Sequence, residues 1–446
     1  MCFDDQIHYC PVNEQVRVCK FFDKFVLDGF WVVIDFNSIV HLTVIFLSPK
    51  DGDGMNVDRS VFSQLMDFVP RHELRTAVKR YKGEYRVRRF SCWEQFLCMA
   101  FAQLTYRDSL RDIETCLRSL GSKLYHSGIR SKVARSTLAD ANERRSWQIY
   151  QDLALALIER ARKLYQSDKL LDDLASAVYA FDSTIIELCL ALFPWAEAKG
   201  HVKTSAGVKL HTLLDLASNM PTVIRVSAAS VHDVLMLDHL VYEAGAYYVL
   251  DRGYMDFERL KDIDNSGAFF VIRAKRDLRF RRLYSNPVNK TSGVMADQTI
   301  TLAVWRSHDA YPDHLRRIRF LDAEHDRTLV FLTNNFLLDA FTVAQLYRAR
   351  WRIELFFKWI KQHLRIKRFY GTSVNAVKTQ IWIAVATYVL VAILKKELKL
   401  DLSLYTILQI LSVTLFHKES IYQLLTDTQY NIQNPIDPNQ LILFDS

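Results

Sequence analysis

Hydrophobic and polar positions divide the chain into regions with different patterns. Residues 56 to about 165 have the pattern of helices, whereas apolar runs separated by turn residues follow from residue 176. These runs predict strands at 177–188, 208–216, 221–227, 246–250, 268–273, 298–305 and 328–335, with helices near 231–242 and 257–263. Beyond residue 376, apolar stretches at 376–398 and 402–415 predict buried helices, and the tail from about residue 426 is expected to be loose.

The stretch 346–364 predicts an amphipathic helix with one unusual polar face. At about 100° per residue, four side chains fall within an arc of roughly 60°, and they are Tyr347, Arg350, Glu354 and Lys361. An adjacent apolar stripe would pack on a core, and it comprises Leu346, Ile353, Phe357, Ile360 and Leu364. A carboxylate between two cations suits a site that holds a metal and binds phosphates. By spacing alone, a solvated helix with an Arg–Glu pair remains open.

Two aspartates occupy strand positions upstream of this helix. Asp182 lies in the middle of an apolar run, where an unpaired carboxylate would cost several kcal/mol, so a charge partner such as a divalent cation is expected. A hydrogen-bonded structural aspartate is the alternative. Asp251 follows a strand directly and precedes a helix, the position at which α/β folds place ligands. Asp182, Asp251 and Glu354 therefore form the candidate catalytic and metal-binding set.

The spacing Tyr-x2-Arg-x3-Glu-x6-Lys formed by these helix residues resembles the signature of insertion-sequence-4-type DDE transposases of bacterial insertion sequences. The resemblance implies that Glu354 is the third metal-binding carboxylate, and that Asp251, in its Asp-Arg-Gly-Tyr setting, is the second. It also implies an α/β fold, with a ribonuclease H-like mixed-sheet core, a β-rich insertion and a helical N-terminal DNA-binding domain. Mg²⁺ or Mn²⁺, as two ions, would be the cofactor.

The same resemblance implies cut-and-paste transposition, in which the enzyme cleaves DNA at transposon ends and transfers the strand into target DNA, often through a hairpin. Partners would be double-stranded DNA, as terminal inverted repeats and target, and a second copy of the chain in a synaptic homodimer. The expected location is the bacterial cytoplasm at the nucleoid. DNA contacts are expected from Tyr347, Arg350, Lys361, Trp351, Arg252 and Arg135.

Charge and composition agree with an anionic partner. The net charge is +8 and the pI is about 9.0. Residues 71–90 hold eight basic side chains against two acidic ones, and Thr137 with Asp140 predicts a capping box beside Arg135. The seven cysteines form no CxxC pair, which indicates neither a zinc site nor a disulfide framework. The apolar run 381–394 has 14 residues and suits a buried helix, so no membrane association is expected.

Pattern and charge predict the domain boundaries. Residues 1–54 hold eight acidic residues against four basic ones and end in a flexible run, so we expect a non-native or disordered extension there. The complete division is 1–55 for the extension, 56–165 for the helical basic DNA-binding domain, 166–275 and 326–415 for the catalytic domain, 276–325 for the β-rich insertion, and 416–446 for the C-terminal tail.

Other candidates and other functions remain open on the residues alone. Trp351 and Trp305 could stack on a flipped base, although a core role is favoured for each. Structural roles are expected for Lys209, His211, His232 and Asp233. The alternatives to a transposase are a ribonuclease H-like nuclease without strand transfer and a non-catalytic DNA-binding descendant. A paired-carboxylate glycosidase would leave the cations around Glu354 unexplained.

Overall fold

In the computed structural model, the chain is described at 59–130, 132–168, 170–171, 174–189, 191–196, 205–363 and 369–433, and at three strands before residue 48. These strands form an antiparallel sheet in the first of two compact units, Met1–Arg59: β1 Phe25–Leu27, β2 Phe30–Ile34 and β3 Val44–Leu47. Most residues of the expected N-terminal extension, 1–55, lie outside the described residues. Everything that follows concerns the second unit, Ser60–Ser446.

The helical pattern after residue 56 is confirmed. The helices are α1 Val61–Asp67, α2 Arg71–Arg80, α3 Cys92–Leu104, α4 Leu110–Leu120, α5 Lys123–His126, α6 Arg135–Arg144 and α7 Gln148–Leu164. A capping box does begin α3, where Ser91 and Glu94 satisfy each other's backbone N–H groups. The capping box predicted for α6 is wrong, because α6 already begins at Arg135 and its N-cap, Ala134, has no side-chain acceptor.

One nine-stranded sheet forms the centre of the unit. Its strands are β4 Val178–Cys189, β5 Ser205–Asp215, β6 Met220–Ala228, β7 Tyr247–Leu250, β8 Phe269–Arg273, β9 Phe280–Asn286, β10 Val294–Leu302, β11 Leu315–Asp322 and β12 Arg327–Thr333. Their order is β6-β5-β4-β7-β8-β12-β11-β10-β9. β4, β7 and β8 are parallel, whereas the β4-β5-β6 hairpins are antiparallel. The predicted mixed sheet is therefore confirmed.

Two local predictions differ from the structure. The segment expected to be a helix at 231–242 is a 3-10 helix, Asp233–His239, preceded by His232. The strand expected at 298–305 is β10, which ends at Leu302, and Trp305 instead begins the short helix α9 Trp305–Ala310. The strands β9 to β11 of the segment 276–325 continue the central sheet through β12, because β12 pairs with both β8 and β11.

The stretch predicted as one helix at 346–364 is divided in two. α10 Ala340–Ala349 and α11 Trp351–His363 meet at Arg350. The Arg350 N–H donates to Tyr347 O, and the Ile353 N–H donates to Arg350 O, each at 3.1 Å. Both bonds span three residues, so the chain is locally tightened there. The predicted apolar stripe is buried at Leu346, Ile353, Phe357 and Ile360, while the side chain of Leu364 lies outside the described residues.

The C-terminal helices cover the N-terminal ones. After α8 Phe257–Asn265 and the two helices above come α12 Val374–Glu397, α13 Leu404–Thr414 and α14 Ile421–Gln433. α12 has the length and composition of a membrane span, but 94% of its most apolar window is buried, mainly against α7, α3 and α6. The expectation of a loose tail from residue 426 is wrong as far as Gln433, because α14 includes these residues and buries Leu425.

Candidate active site

Asp182 and Asp251 come from neighbouring parallel strands. In the register of β4 and β7, Phe181 lies opposite Leu250, so the next residue of each strand is an aspartate at the same level. Asp182 continues β4, whereas Asp251 ends the extended segment and precedes a 3-10 helix, Arg252–Tyr254. The sheet topology alone therefore brings the two carboxylates to one edge of the site.

Glu354 reaches the site from α11, which packs on β4. Arg350 joins it to the sheet: Nη1 donates to Asp182 Oδ2 at 3.0 Å, and Nη2 donates to Glu354 Oε1 at 2.5 Å. The Arg350 side chain is only 12% exposed and that of Asp182 21%, so this ion pair is largely shielded from water, whereas Glu354 is 34% exposed. The structure thus brings together the carboxylates that were predicted from separate parts of the sequence.

Tyr347 connects the same helices to the second aspartate. Its hydroxyl donates to Asp251 Oδ1 at 2.9 Å, and its ring lies 5.7 Å from the Arg350 guanidinium carbon. Burial, together with the Asp251 carboxylate, raises the pKa of Tyr347 to about 12, so the hydroxyl stays protonated and remains a donor. Tyr347 and Arg350 are bound to the carboxylates in this structure, and the DNA contacts expected of them stay a prediction.

The environment of Asp182 favours a cation at this position. Burial raises its pKa to about 6, and the nearby Asp251 and Glu354 add to the rise, whereas the Ser183 N–H and Arg350 oppose it. The backbone N–H of Ser183 donates to Asp182 Oδ1 at 2.8 Å. Clustered carboxylate oxygens that already gather one guanidinium are hard ligands of the type that divalent Mg²⁺ and Mn²⁺ prefer. The residues present therefore fit a divalent cation.

A second polar network lies behind Asp182. Ser183 Oγ donates to Asp233 Oδ1 at 2.7 Å, and Lys209 Nζ lies 3.1 Å from the same oxygen. His211 pairs with Ser227 Oγ through Nε2 at 2.8 Å. These contacts give Lys209, His211 and Asp233 polar partners, although the buried Nδ1 of His211 has no hydrogen-bond partner among the described atoms. The structural roles expected for these residues and for His232 stay a prediction. Ser183 was missed by sequence reasoning, although it directly follows Asp182 and joins this network to the catalytic strand.

Tyr254 is a second residue that sequence reasoning missed. Its ring packs edge-on against Phe181 at 5.3 Å, and its buried hydroxyl has no hydrogen-bond partner among the described residues. Burial, with Asp182 nearby, raises the pKa of Tyr254. The sequence signal that could have identified Tyr254 is its position in the Asp-Arg-Gly-Tyr segment. The 3-10 helix directly after Asp251 ends at this buried tyrosine.

The remaining predicted DNA contacts lie at different places. Trp351 is 57% exposed beside Arg350, and Trp305 is 78% exposed in the insertion, so the favoured core role is wrong for both. Lys361 is half-buried further along α11, and Arg252 is half-buried directly after Asp251, with a buried Nε that has no partner among the described atoms. Arg135 begins α6 in the helical region.

Comparison with known proteins gives two family matches. Residues 57–130 match a domain of unknown function, DUF4372, and residues 174–390 match the Transposase DDE domain. The second match contains Asp182, Asp251 and Glu354.

Three relatives are similar over a large part of the chain. A Sinorhizobium fredii protein named as a transposase, y4zB, is 30% identical over 64% of this chain and 78% of its own length. A Geobacillus stearothermophilus protein named as a transposase for insertion sequence element IS5377 is 32% identical over 50% of this chain and 59% of its own length. A Synechocystis protein named as a transposase for insertion sequence element IS4SA is 23% identical over 63% of this chain and 77% of its own length.

Both the domain match and the first relative agree with the geometry of the site. Transposases of this family act on DNA and depend on a divalent metal, which suits the carboxylate cluster described above. The chain belongs to the DDE transposases of bacterial insertion sequences, and its α/β fold is the ribonuclease H-like fold of that family.

Proposed function

We propose that this transposase cleaves DNA at the two ends of its element and joins the released 3′ ends to target DNA, in cut-and-paste transposition. The observation that supports the proposal is the grouping of Asp182, Asp251 and Glu354 at the α10–α11 junction. Arg350 bonds to Asp182 at 3.0 Å and to Glu354 at 2.5 Å, and the Tyr347 hydroxyl bonds to Asp251 at 2.9 Å. A site that activates either water or a 3′-hydroxyl can cut and join in turn, because only the nucleophile changes.

The three carboxylates would hold two Mg²⁺ or Mn²⁺ ions. When bound, these ions would supply charge neutralisation at phosphorus and a lowered pKa for the attacking hydroxyl. Asp182 and Asp251, fixed on adjacent strands, set the spacing on one side, while Glu354 approaches from α11. The Ser183 N–H orients Asp182 by donating to one of its oxygens. The sheet and α11 thus form a rigid holder for the reacting phosphate.

Groups around the carboxylates would hold the DNA. Arg350 and Lys361 would neutralise phosphates of the transposon end, Tyr347 would donate a hydrogen bond to one, and Arg252 would face the strand near Asp251. The exposed indole of Trp351 directly follows Arg350 and suits stacking on an unpaired base.

The helical region would bind the ends of the element at a distance from the reacting phosphate. A cavity of about 800 Å³ opens there between α2, α3 and the start of α6. Its basic lining residues are Arg71, Arg89, Arg130 and Lys132. Its acidic residue, Glu94, already accepts from the backbone N–H groups of Ser91 and Arg130. The cavity therefore has an excess of positive charge suited to backbone phosphates, and Arg135 flanks it on α6.

A direct experiment separates the proposal from a nuclease. Labelled DNA carrying the inverted repeats that flank the coding region is incubated with supercoiled target, Mg²⁺ and the full chain. Transposition predicts labelled ends joined covalently to the target. Ends that are cut but never joined would support a ribonuclease H-like nuclease, and neither product would support a non-catalytic DNA-binding descendant. Complexes that hold two ends and two copies of the chain are expected for a synaptic homodimer.

A further inference from the structure

One oxygen on each of the three carboxylates is occupied by a side chain of the α10–α11 junction. Arg350 donates to Asp182 and Glu354, and Tyr347 donates to Asp251. Carboxylate oxygens are the ligands that a divalent cation would use here. A guanidinium bonded to two of these carboxylates competes with that cation, both for the same lone pairs and through like charge.

We propose that Arg350 couples the binding of the divalent cation to the binding of the transposon end. In free protein the guanidinium holds Asp182 and Glu354, and a DNA phosphate then draws Arg350 away and leaves the carboxylates to the metal. The inference rests on the proposed function and concerns the regulation of the same site. Its consequence is that the transposase assembles a loaded centre mainly where a DNA end is already bound.

The contacts of Arg350 with the two carboxylates leave one of its buried donors unsatisfied. Its Nε is buried and has no hydrogen-bond partner among the described atoms, and an unsatisfied buried donor is unfavourable. A phosphate offers several acceptor oxygens to the planar fork of an arginine and can satisfy donors that two carboxylates cannot reach together. The DNA-bound position therefore compensates for the lost ion pairs.

The backbone position of Arg350 also suits a side chain with two positions. It lies between two helices, with three-residue hydrogen bonds on both sides, so a change in its direction does not require disrupting the middle of a helix. Trp351, the next residue, is well exposed. A DNA strand that contacts this indole would bring its phosphates close to the guanidinium.

The coupling is measured by Mn²⁺ binding to the full chain, followed by the electron paramagnetic resonance signal of free Mn²⁺. The probe DNA is a duplex of the flanking inverted repeat that already ends in the cleaved 3′-hydroxyl, so that no cutting occurs. The wild-type chain is expected to bind Mn²⁺ about tenfold more tightly with this duplex than without it. By reciprocity, Mn²⁺ should tighten duplex binding by the same factor.

Substitution of Arg350 should remove the coupling in a characteristic direction. Arg350→Gln is expected to bind Mn²⁺ more tightly than wild type in the absence of DNA, and the duplex should improve its Mn²⁺ affinity far less than it improves that of wild type. Arg350→Lys keeps the positive charge but can reach only one carboxylate. Its Mn²⁺ affinity in the absence of DNA should lie between those of wild type and Arg350→Gln. Arg348→Gln is the matched control, because Arg348 is an exposed arginine in the last turn of α10, two residues before Arg350, and pairs with Glu324. It should behave like wild type.

Equal Mn²⁺ affinity of wild type with and without bound duplex would overturn the inference without any variant. Weaker Mn²⁺ binding by free Arg350→Gln than by wild type would also overturn it, since Arg350 would then support the metal site. A wild-type chain that joins ends to target but shows no coupling contradicts only this inference. A wild-type chain that shows the coupling but neither cuts transposon ends nor joins them to target DNA contradicts the proposed function and supports the inference.

Discussion

At the scale of single residues, the carboxylates of the site differ in what surrounds them. Asp182 is fixed from both sides, by the Ser183 N–H and by Arg350, whereas Asp251 receives the hydroxyl of Tyr347. Glu354 is bound by Arg350 from one turn away on the adjoining helix. Glu354 is thus the carboxylate whose loss disturbs the sheet least, and it is the most informative one to replace.

Glu354→Ala should abolish cleavage of transposon ends while leaving end binding largely intact. The carboxylate would hold metal, but the basic cavity of the helical region and the fold do not depend on it. Cleavage is measured on labelled end DNA, and binding by electrophoretic mobility shift at the same salt concentration. A comparable loss of cleavage and binding would show that Glu354 acts mainly through structure. Glu324→Ala, which affects an exposed surface pair, is the control and should cut normally.

His211 should make stability fall at acid pH. Burial lowers its pKa to about 4, against the opposing effect of Asp233, so the folded state keeps the ring neutral. In the unfolded chain, the His211 ring takes up a proton below pH ~6.5. The contribution of His211 to the free energy of unfolding is therefore complete above that pH and is lost as the pH falls towards 4, by on the order of 3 kcal/mol. Urea unfolding of wild type and His211→Gln at several pH values measures it.

The variant should lose less stability than wild type between pH 7 and pH 4.5. Gln can still pair with Ser227, so the comparison isolates the proton. His308→Gln changes an exposed histidine of α9 and should follow the wild-type curve. Parallel curves for wild type and His211→Gln would show that His211 is not the group responsible.

At the scale of elements, the strands β10 and β11 of the insertion hold the segment that leads into α10. Arg316 on β11 makes two bonds to Asp297 on β10, at 2.9 and 2.8 Å, and both side chains are only 6% exposed. Arg316 also donates to Leu338 O, just before α10 begins. The insertion therefore fixes where α10 starts, and through it the position of the α10–α11 junction.

Asp297→Ala should destabilise the protein by about 3–5 kcal/mol, because it leaves a buried guanidinium without its partner. Chemical denaturation measures the free energy of unfolding. Glu159→Ala breaks an ion pair whose side chains are 73% and 69% exposed, and it should change the free energy of unfolding far less, because water screens this pair. If Asp297→Ala were as mild as this control, the buried pair would not be what anchors α10.

At the scale of the whole molecule, the helical region and the catalytic sheet share one hydrophobic core. α12 lies between them, with α7, α3 and α6 on one side and α11 also in contact with it. Trp382, in the middle of α12, is almost completely buried. The helices proposed to bind DNA and the carboxylates proposed to be catalytic are therefore joined through packing and not only through the chain between them.

A fragment comprising residues 166–433 should not fold on its own, because removal of α1 to α7 exposes the apolar surface of α12. It is expected to bind a hydrophobic fluorescent dye and to melt without a cooperative transition, as followed by circular dichroism. The matched truncation, residues 60–446, removes only the first compact unit and should melt as the full chain does. A cooperative transition for 166–433 would show that the catalytic region is independent.

The strands and the two aspartates were predictable because burial of a β-strand leaves a direct trace in the sequence, whereas Glu354 was predicted from its helical spacing with Tyr347, Arg350 and Lys361. An acidic residue within or directly after such a run, as at Asp182 and Asp251, is costly without a cation. The break at Arg350 was not predictable, since the spacing of side chains in a helix is almost the same when one turn is tightened. The exposure of Trp351 and Trp305 could not be derived either, because an indole has the same hydrophobicity in a core and on a DNA-binding surface.

The burial of α12 has an evolutionary consequence. A DNA-binding module attached by a loose linker can be exchanged between proteins by recombination, and the element would acquire new ends in one step. Here such an exchange would also remove the packing partners of α12, and with them the stability of the catalytic core. New end preferences in this lineage are therefore expected to arise by substitutions on the surface of the helical region, with the two halves of the chain inherited together.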